Sequence, residues 1–156
     1  MSATPVFVVR HAKAGSRSRW EGPDTARPLS RAGRRQAAGL VGQLADHRIT
    51  RIVSSPYVRC QETVGPLADR LRIPVEPSPS LEEGAPLPEA LRLVEKVADK
   101  PTVLCTHGDV IGELLDHFRR AGVLGDDGVR MEKGATWILD TEAGEVTAAR
   151  YLPPPS

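Results

Sequence analysis

The chain has 156 residues, the size of one domain, so a single domain over 1–156 is expected; 40% of residues are hydrophobic and 26% charged, an ordinary balance for a folded globular protein. Twenty-one basic and twenty acidic side chains sum to +1, which excludes a polybasic nucleic-acid tail and an acidic solvating one. The sum hides a split: Met1 to Arg35 holds eight basic and two acidic residues and the remainder thirteen and eighteen, so the N-terminal stretch is suited to anions.

Val6 to Val9 is the first apolar run and reads as a buried strand; four residues are too few for a signal-peptide core or a membrane span, so a cytoplasmic location with no membrane partner is expected. Ser30 is a candidate N-cap for a helix to about His47, with Ala32, Ala37, Leu40, Val41 and Leu44 at helical spacing. Arg51 to Val53 is a second strand. Ser55 then Pro56, cap followed by first-turn proline, predicts a helix to about Leu71. A weaker strand covers Pro74 to Glu76, Pro88 opens a helix to about Asp99, and Thr102 to Cys105 is a third strong strand. Gly108 or Asp109 opens a helix to about Ala121. Ala135 to Asp140 and Glu145 to Tyr151, around a turn at Glu142 to Gly144, predict a terminal hairpin or edge pair, and Pro153 to Pro155 a frayed end. Strands alternating with helices of this length predict an α/β fold with a mostly parallel sheet and helices on both faces. Cys60 and Cys105 have no metal or redox spacing and read as buried thiols.

Ligands of open parallel sheets bind outside the carboxyl ends of the strands. Those ends carry Arg10 and His11, then Ser54 and Ser55 with Arg59 one helical turn on, then Thr106, His107 and Gly108. An Arg-His or a His-Gly dipeptide is expected about 0.4 times by chance in this composition, so their placement, not their presence, is informative. Two arginines and two histidines at one rim suit a phosphoryl group: guanidinium forks bind two oxygens, and helix N-termini add free amides. Arg59 leans toward the N-terminus of its own helix and so back to the strand end. Gly108 lets backbone approach a ligand closely. Neighbouring arginines keep His11 neutral and nucleophilic, splitting hydrolysis into phosphorylation and dephosphorylation of the enzyme. A leaving alkoxide needs a proton, for which Glu82, Glu83 and Asp109 are candidates.

Five ordered stretches resemble the histidine phosphatase superfamily, the phosphoglycerate mutase-like fold: Arg-His-Ala-Lys at 10–13, Arg-Pro-Leu-Ser-Arg-Ala-Gly at 27–33, Ser-Ser-Pro-Tyr-Val-Arg-Cys at 54–60, Leu-Glu-Glu-Gly at 81–84 and Thr-His-Gly-Asp at 106–109. The resemblance implies a three-layer α/β/α sandwich and a phosphoric monoester hydrolase needing no metal or cofactor. His11 would be the phosphorylated nucleophile, with Arg10, Arg59 and His107 completing the phosphate pocket. Glu83, two residues after Leu81, is the favoured acid; Lys13 and Ser16 would contact substrate. Ala12 replaces the family's usual glycine, as in the short bacterial branch that includes phosphohistidine phosphatases. The chain also lacks the long insertions of mutases and acid phosphatases, which implies an open pocket unsuited to retaining an intermediate. Arg10 to Trp20 and Arg27 to Ala37 are also similar to the phosphatase domain that follows a Nudix domain in some actinobacterial proteins, although this sequence has no Nudix box.

The expected function is therefore metal-independent hydrolysis of phosphate esters or phosphoramidates through phospho-His11. The expected substrate is a phosphorylated small molecule, a nucleotide or a phosphoprotein. A phosphohistidine phosphatase, and a non-catalytic phospho-ligand module using the same pocket, are the alternatives. Nucleic-acid binding is disfavoured: aromatics are 4%, and Arg31, Arg34 and Arg35 read as a solvated helix face. A Cys-nucleophile loop needs Arg six positions on, where Pro66 and Ile111 stand; no Walker loop or Gly-x-Ser-x-Gly elbow is present.

Overall fold

The computed structural model describes residues 3–125 and 130–155. In chain order the strands are β1 (Thr4–Arg10), β2 (Arg51–Ser54), β3 (Val75–Pro77), β4 (Thr102–Thr106), β5 (Thr136–Glu142) and β6 (Glu145–Leu152). The helices are α1 (Arg31–Leu44), α2 (Val58–Leu71), α3 (Leu87–Val97) and α4 (Gly108–Arg120). The sheet order is β3-β2-β4-β1-β5-β6. Neighbours from β3 through β1 are parallel, whereas β5 and β6 are antiparallel. This is the expected α/β architecture.

Alternation along β1 divides the core. Val6 and Val8 pack with Val94, Val97, Ile111, Leu114 and Leu115 of α3 and α4. Phe7 and Val9 pack on the other face with Leu40, Leu44, Val64 and Leu67 of α1 and α2. Strands buried on both faces by helices are why these runs read as continuously apolar. Arg31, Arg34 and Arg35 are exposed on α1, as expected.

Three local expectations need correction or refinement. Ser30 does cap α1, accepting from Gly33 N at 3.1 Å. Ser55 does not cap α2. That helix begins at Val58 behind an extended Tyr57, because Ser55 N–H extends the sheet to Cys105 O at 2.9 Å and its hydroxyl is committed elsewhere. Pro56 consequently lies before the helix. The weak strand sits one residue later than expected, pairing Ser54 with Pro77. The terminal hairpin forms around Ala143 and Gly144, both at positive φ as tight hairpin turns require. The proline end is not frayed: Gln43 donates to Pro153 O at 3.0 Å, and Pro155 packs so close to Gly39 that a Cβ there would lie 2.5 Å from the Pro155 Cβ.

Candidate active site

The register of β1 on β4 sets Arg10 opposite Thr106, and His11 N–H donates to Thr106 O at 3.0 Å. The residues that follow each strand, His11 and His107, therefore emerge side by side, with ring centroids 5.4 Å apart. His107 is the N-cap residue of α4, at the junction of strand and helix. Arg59 reaches the same place from the first turn of α2, with its guanidinium 4.9 Å from the Tyr57 ring. Tyr57 also packs edge-on against His107 at 4.7 Å. His11, Arg59 and His107 are 6%, 0% and 1% exposed.

His11 Nδ1 lies 2.8 Å from Ala12 O. A carbonyl only accepts, so Nδ1 carries the proton and Nε2 presents a lone pair. Burial, followed by the charges of His107, Arg59 and Arg10, lowers the His11 pKa to about 3 against the raising effect of the Ala12 carbonyl bond. The ring is thus neutral at neutral pH. Thr63 holds this turn in place: Ala12 N–H donates to its hydroxyl at 2.9 Å, and the hydroxyl donates to Arg59 O at 2.7 Å.

Around His11, three buried nitrogens have no hydrogen-bond partner within the described residues: Arg10 Nε, Arg59 Nε and His107 Nδ1. Their other atoms are anchored. Arg10 Nη1 donates to Met131 O at 2.5 Å, and Arg59 Nη1 to Asp24 O at 2.9 Å. His107 Nε2 lies 2.9 Å from Ser55 Oγ and 3.5 Å from Cys60 Sγ. Two anchored guanidiniums and an imidazole with nitrogens left unpaired are groups that can cradle a ligand bearing several oxygens.

The cleft above these residues encloses about 640 Å³ and is lined by residues including Ser16, Arg17, Arg27, Glu83, Gly108 and Lys133. The loop carrying Glu83 is tied down at both sides. Thr106 Oγ1 donates to Leu81 O at 2.6 Å, and Gly84 N–H donates to Asp109 Oδ2 at 2.7 Å. Asp109 is therefore committed to holding that loop, and Glu83 reaches Arg59 and Arg17, each at 3.4 Å. Glu82 is half-buried and does not line the cleft. Ser16 and Gly108 line it.

Lys13 does not. Its side chain is exposed and absent from the lining. Its backbone is used instead: its carbonyl accepts from Ser30 N and Oγ at 2.9 and 3.1 Å, and its N–H donates to Gln36 Oε1 at 2.9 Å. These bonds fasten the segment after His11 to the N-terminus of α1.

Several residues at the site escaped the sequence reading. Asp24 pairs with Arg59 at 3.1 Å and Arg27 at 3.0 Å. Arg27, inside a recognised motif but without an assigned role, donates to Gly15 O at 2.7 Å and lines the cleft. Ser55, read from the sequence as a strand-end residue and helix cap, instead lies 2.9 Å from His107 Nε2. Lys133 precedes β5, and because β5 runs antiparallel to β1 its N-terminal end lies on the same rim as the carboxyl ends of the parallel strands. Inspecting the starts of antiparallel strands as well as the ends of parallel ones is the signal that finds it. Among the described residues, no three His, Cys, Asp or Glu side chains converge as a metal-ligand cluster, and no helix is long and apolar enough to cross a membrane.

The sequence is 37% identical over 155 residues to the 8-oxo-(d)GTP phosphatase of Mycolicibacterium smegmatis, covering 96% of this chain and 48% of that one. The chain thus spans about half the length of that relative. Its fold matches the structure of the protein histidine phosphatase SixA with tungstate (TM-score 0.71, 21% identity, covering 98% of this chain and 97% of that one). It also matches a mycobacterial glucosyl-3-phosphoglycerate phosphatase with VO3 (TM-score 0.74, 19% identity, 99% and 100% covered). The sequence model of branch 1 of the histidine phosphatase superfamily matches residues 6–85, a stretch that contains the His11 turn, the α1 cap and Arg59. On that match, and on a fold that sets paired histidines and arginines at one sheet rim, the chain belongs to the histidine phosphatase superfamily.

Proposed function

We propose that the chain is a phosphatase that needs no metal and works through a phosphohistidine on His11. The observation carrying this reading is the unprotonated Nε2 of a neutral, buried His11 beside three anchored nitrogens without partners, on Arg10, Arg59 and His107. His11 Nε2 attacks phosphorus while these groups hold the equatorial oxygens, whose charge dominates a loose transition state. Water then attacks the phosphohistidine and restores the free imidazole. Ser16 and Gly108 border the bound group, and Glu83 stands at the leaving-group side. Nucleotide phosphates are the favoured substrates, supported by the named activity of the M. smegmatis relative. Single turnover with a phosphodonor should leave a base-stable, acid-labile phosphate on the parent protein and none on His11→Ala. Equal turnover of p-nitrophenyl phosphate by parent and His11→Ala would refute the reading.

A further inference from the structure

An ester oxygen that leaves phosphorus needs a proton, and in-line displacement sends it away from His11 Nε2, into the cleft. Apart from arginines and histidines, the ionisable side chains lining that cleft are Glu83, Asp109 and Lys133. An ordinary carboxyl is ionised at neutral pH, whereas an ordinary ammonium is protonated. The two carboxylates act as acceptors. Glu83 Oε1 takes hydrogen bonds from Arg17 and Arg59, each at 3.4 Å, and Asp109 Oδ2 takes one from Gly84 N–H at 2.7 Å. Of the three, Lys133 is the one that brings a transferable proton.

The backbone fixes Lys133 at the His11 turn. The N–H of the next residue, Gly134, lies 3.2 Å from Arg10 O and 3.1 Å from His11 O. Lys133 O accepts from Gln36 Nε2 at 3.0 Å, and Gln36 Oε1 accepts from Lys13 N–H at 2.9 Å. One amide side chain thus ties Lys133 to the segment that follows His11. Gly134 has φ +86°, and a Cβ there would lie 3.0 Å from Gln36 Cδ, so glycine is what lets the two segments close. The Lys133 side chain is exposed and makes no ion pair among the described residues. Its neighbour Glu132 pairs with Arg130 instead. Partial burial, then the charges of Arg10, Arg27, Arg17 and Arg59, lower the Lys133 pKa, which makes the ammonium a stronger acid.

We propose that Lys133 is the general acid of this site: its ammonium protonates the leaving oxygen, and its amine then activates the incoming water. This rests on the phosphatase reading above. The His11 Nε2–P bond forms as the ester P–O bond breaks. The electron pair goes to the leaving oxygen, which takes a proton from Lys133 Nζ and departs as the alcohol. Water enters where that oxygen was, again opposite Nε2. The neutral Lys133 amine takes a proton from the water as its oxygen bonds to phosphorus. The P–N bond breaks and its electron pair returns to Nε2. Inorganic phosphate, neutral His11 and the Lys133 ammonium result.

The test compares kcat/KM of the full chain on p-nitrophenyl phosphate and phenyl phosphate, for the parent, Lys133→Met, Lys133→Arg and Glu83→Gln. p-Nitrophenoxide leaves as a stable anion, whereas phenoxide is a far stronger base and gains more from a proton. Lys133→Met is expected to lose at least tenfold more on phenyl phosphate than on p-nitrophenyl phosphate. It should also lose the alkaline fall of the phenyl phosphate pH profile, which in the parent lies below the ordinary lysine value. Lys133→Arg keeps the charge but does not release a proton, so it should behave as Lys133→Met does. Glu83→Gln should lower both substrates by the same factor. Equal losses on the two substrates in Lys133→Met, recovery of phenyl phosphate turnover in Lys133→Arg, or a loss selective for phenyl phosphate in Glu83→Gln overturns the proposal. Each of these leaves the phosphatase reading intact so long as turnover depends on His11. Absence of any His11-dependent turnover overturns both.

Discussion

Gly108 separates catalysis from stability in a way that can be measured. A Cβ built there would lie 2.9 Å from Arg10 Cζ, 3.0 Å from Nη2 and 3.1 Å from Nε, where ordinary contact begins at 3.4 Å. In Gly108→Ala the guanidinium must retreat by about 0.5 Å or more, and misplacements approaching 1 Å cost on the order of 100-fold in rate. The guanidinium is the far end of a flexible side chain, so the fold can accommodate the shift. Gly108 is the first residue of α4, so the change disturbs little of the helix, and the stability loss is limited to weakening of the bond from Arg10 to Met131 O. The expected result is a loss of about 100-fold in kcat/KM on p-nitrophenyl phosphate, or about 2.7 kcal/mol of transition-state stabilisation, with Tm moving by no more than a few degrees. Steady-state kinetics and a thermal melt on the same preparation check both halves. Activity within threefold of the parent, or a Tm drop large enough to explain the loss, would refute the reasoning.

Gly33→Ala should do the reverse, because its Cβ would fall 1.8 Å from the Lys13 carbonyl oxygen, a backbone atom that also accepts the Ser30 bonds. We expect destabilisation of at least about 3 kcal/mol or failure to fold, and a urea midpoint near that of the parent would contradict this. Ser55→Ala removes the 2.9 Å partner of His107 Nε2. Ser55 Oγ also accepts from Tyr57 N–H at 3.2 Å, so this hydroxyl ties the His107 ring to the start of α2. That variant should lose about tenfold in kcat with little change in KM, and the imidazole ¹⁵N shifts of His107 should move; unchanged shifts refute the contact. His11 also makes stability depend on pH. Its folded pKa of about 3 lies below the unfolded value of 6.5, so between these values the unfolded chain binds the extra proton. Its contribution is fully present above pH 6.5 and is lost as pH falls toward 3. The slope approaches about 1.4 kcal/mol per pH unit, which His11→Asn should abolish; parallel urea-midpoint profiles for parent and variant would count against it.

The strands and the helices between them were legible because both faces of the parallel strands are buried, which leaves short apolar runs bounded by turn residues. The pairing of Arg10 and His11 with His107 followed from one rule about strand ends, and Arg59 from the tilt of side chains toward a helix N-terminus. What was not legible depends on contacts between distant segments. Ser55 looks like a helix cap in sequence, but the sheet claims its backbone and His107 its hydroxyl. Lys13 sits two residues after His11, yet the close packing of Gly33 turns that stretch into a strut for α1 and leaves the side chain outside. Asp24 belongs to a short 3-10 turn, Asp24–Ala26, with no periodic signal, and it matters because Arg59 and Arg27 both come to it. Lys133 is reached only once β5 is known to run backwards.

The sheet order has a consequence for how the molecule comes together. β1 has no neighbour from its own half of the sequence: it is flanked by β4 and β5, whose paired residues lie about a hundred positions or more downstream, as in Val6 with Thr102 and Leu139. Residues 6–85 hold His11, Arg59 and Glu83, but neither strand that holds β1 in register. An N-terminal fragment ending before β4 would leave His11 on an unpaired strand, with no His107 beside it and its core-facing valines in water. Folding of the His11 turn therefore waits on long-range closure, the slow step in chains of high contact order. Activity recovered during refolding should appear with the last cooperative phase and not ahead of it.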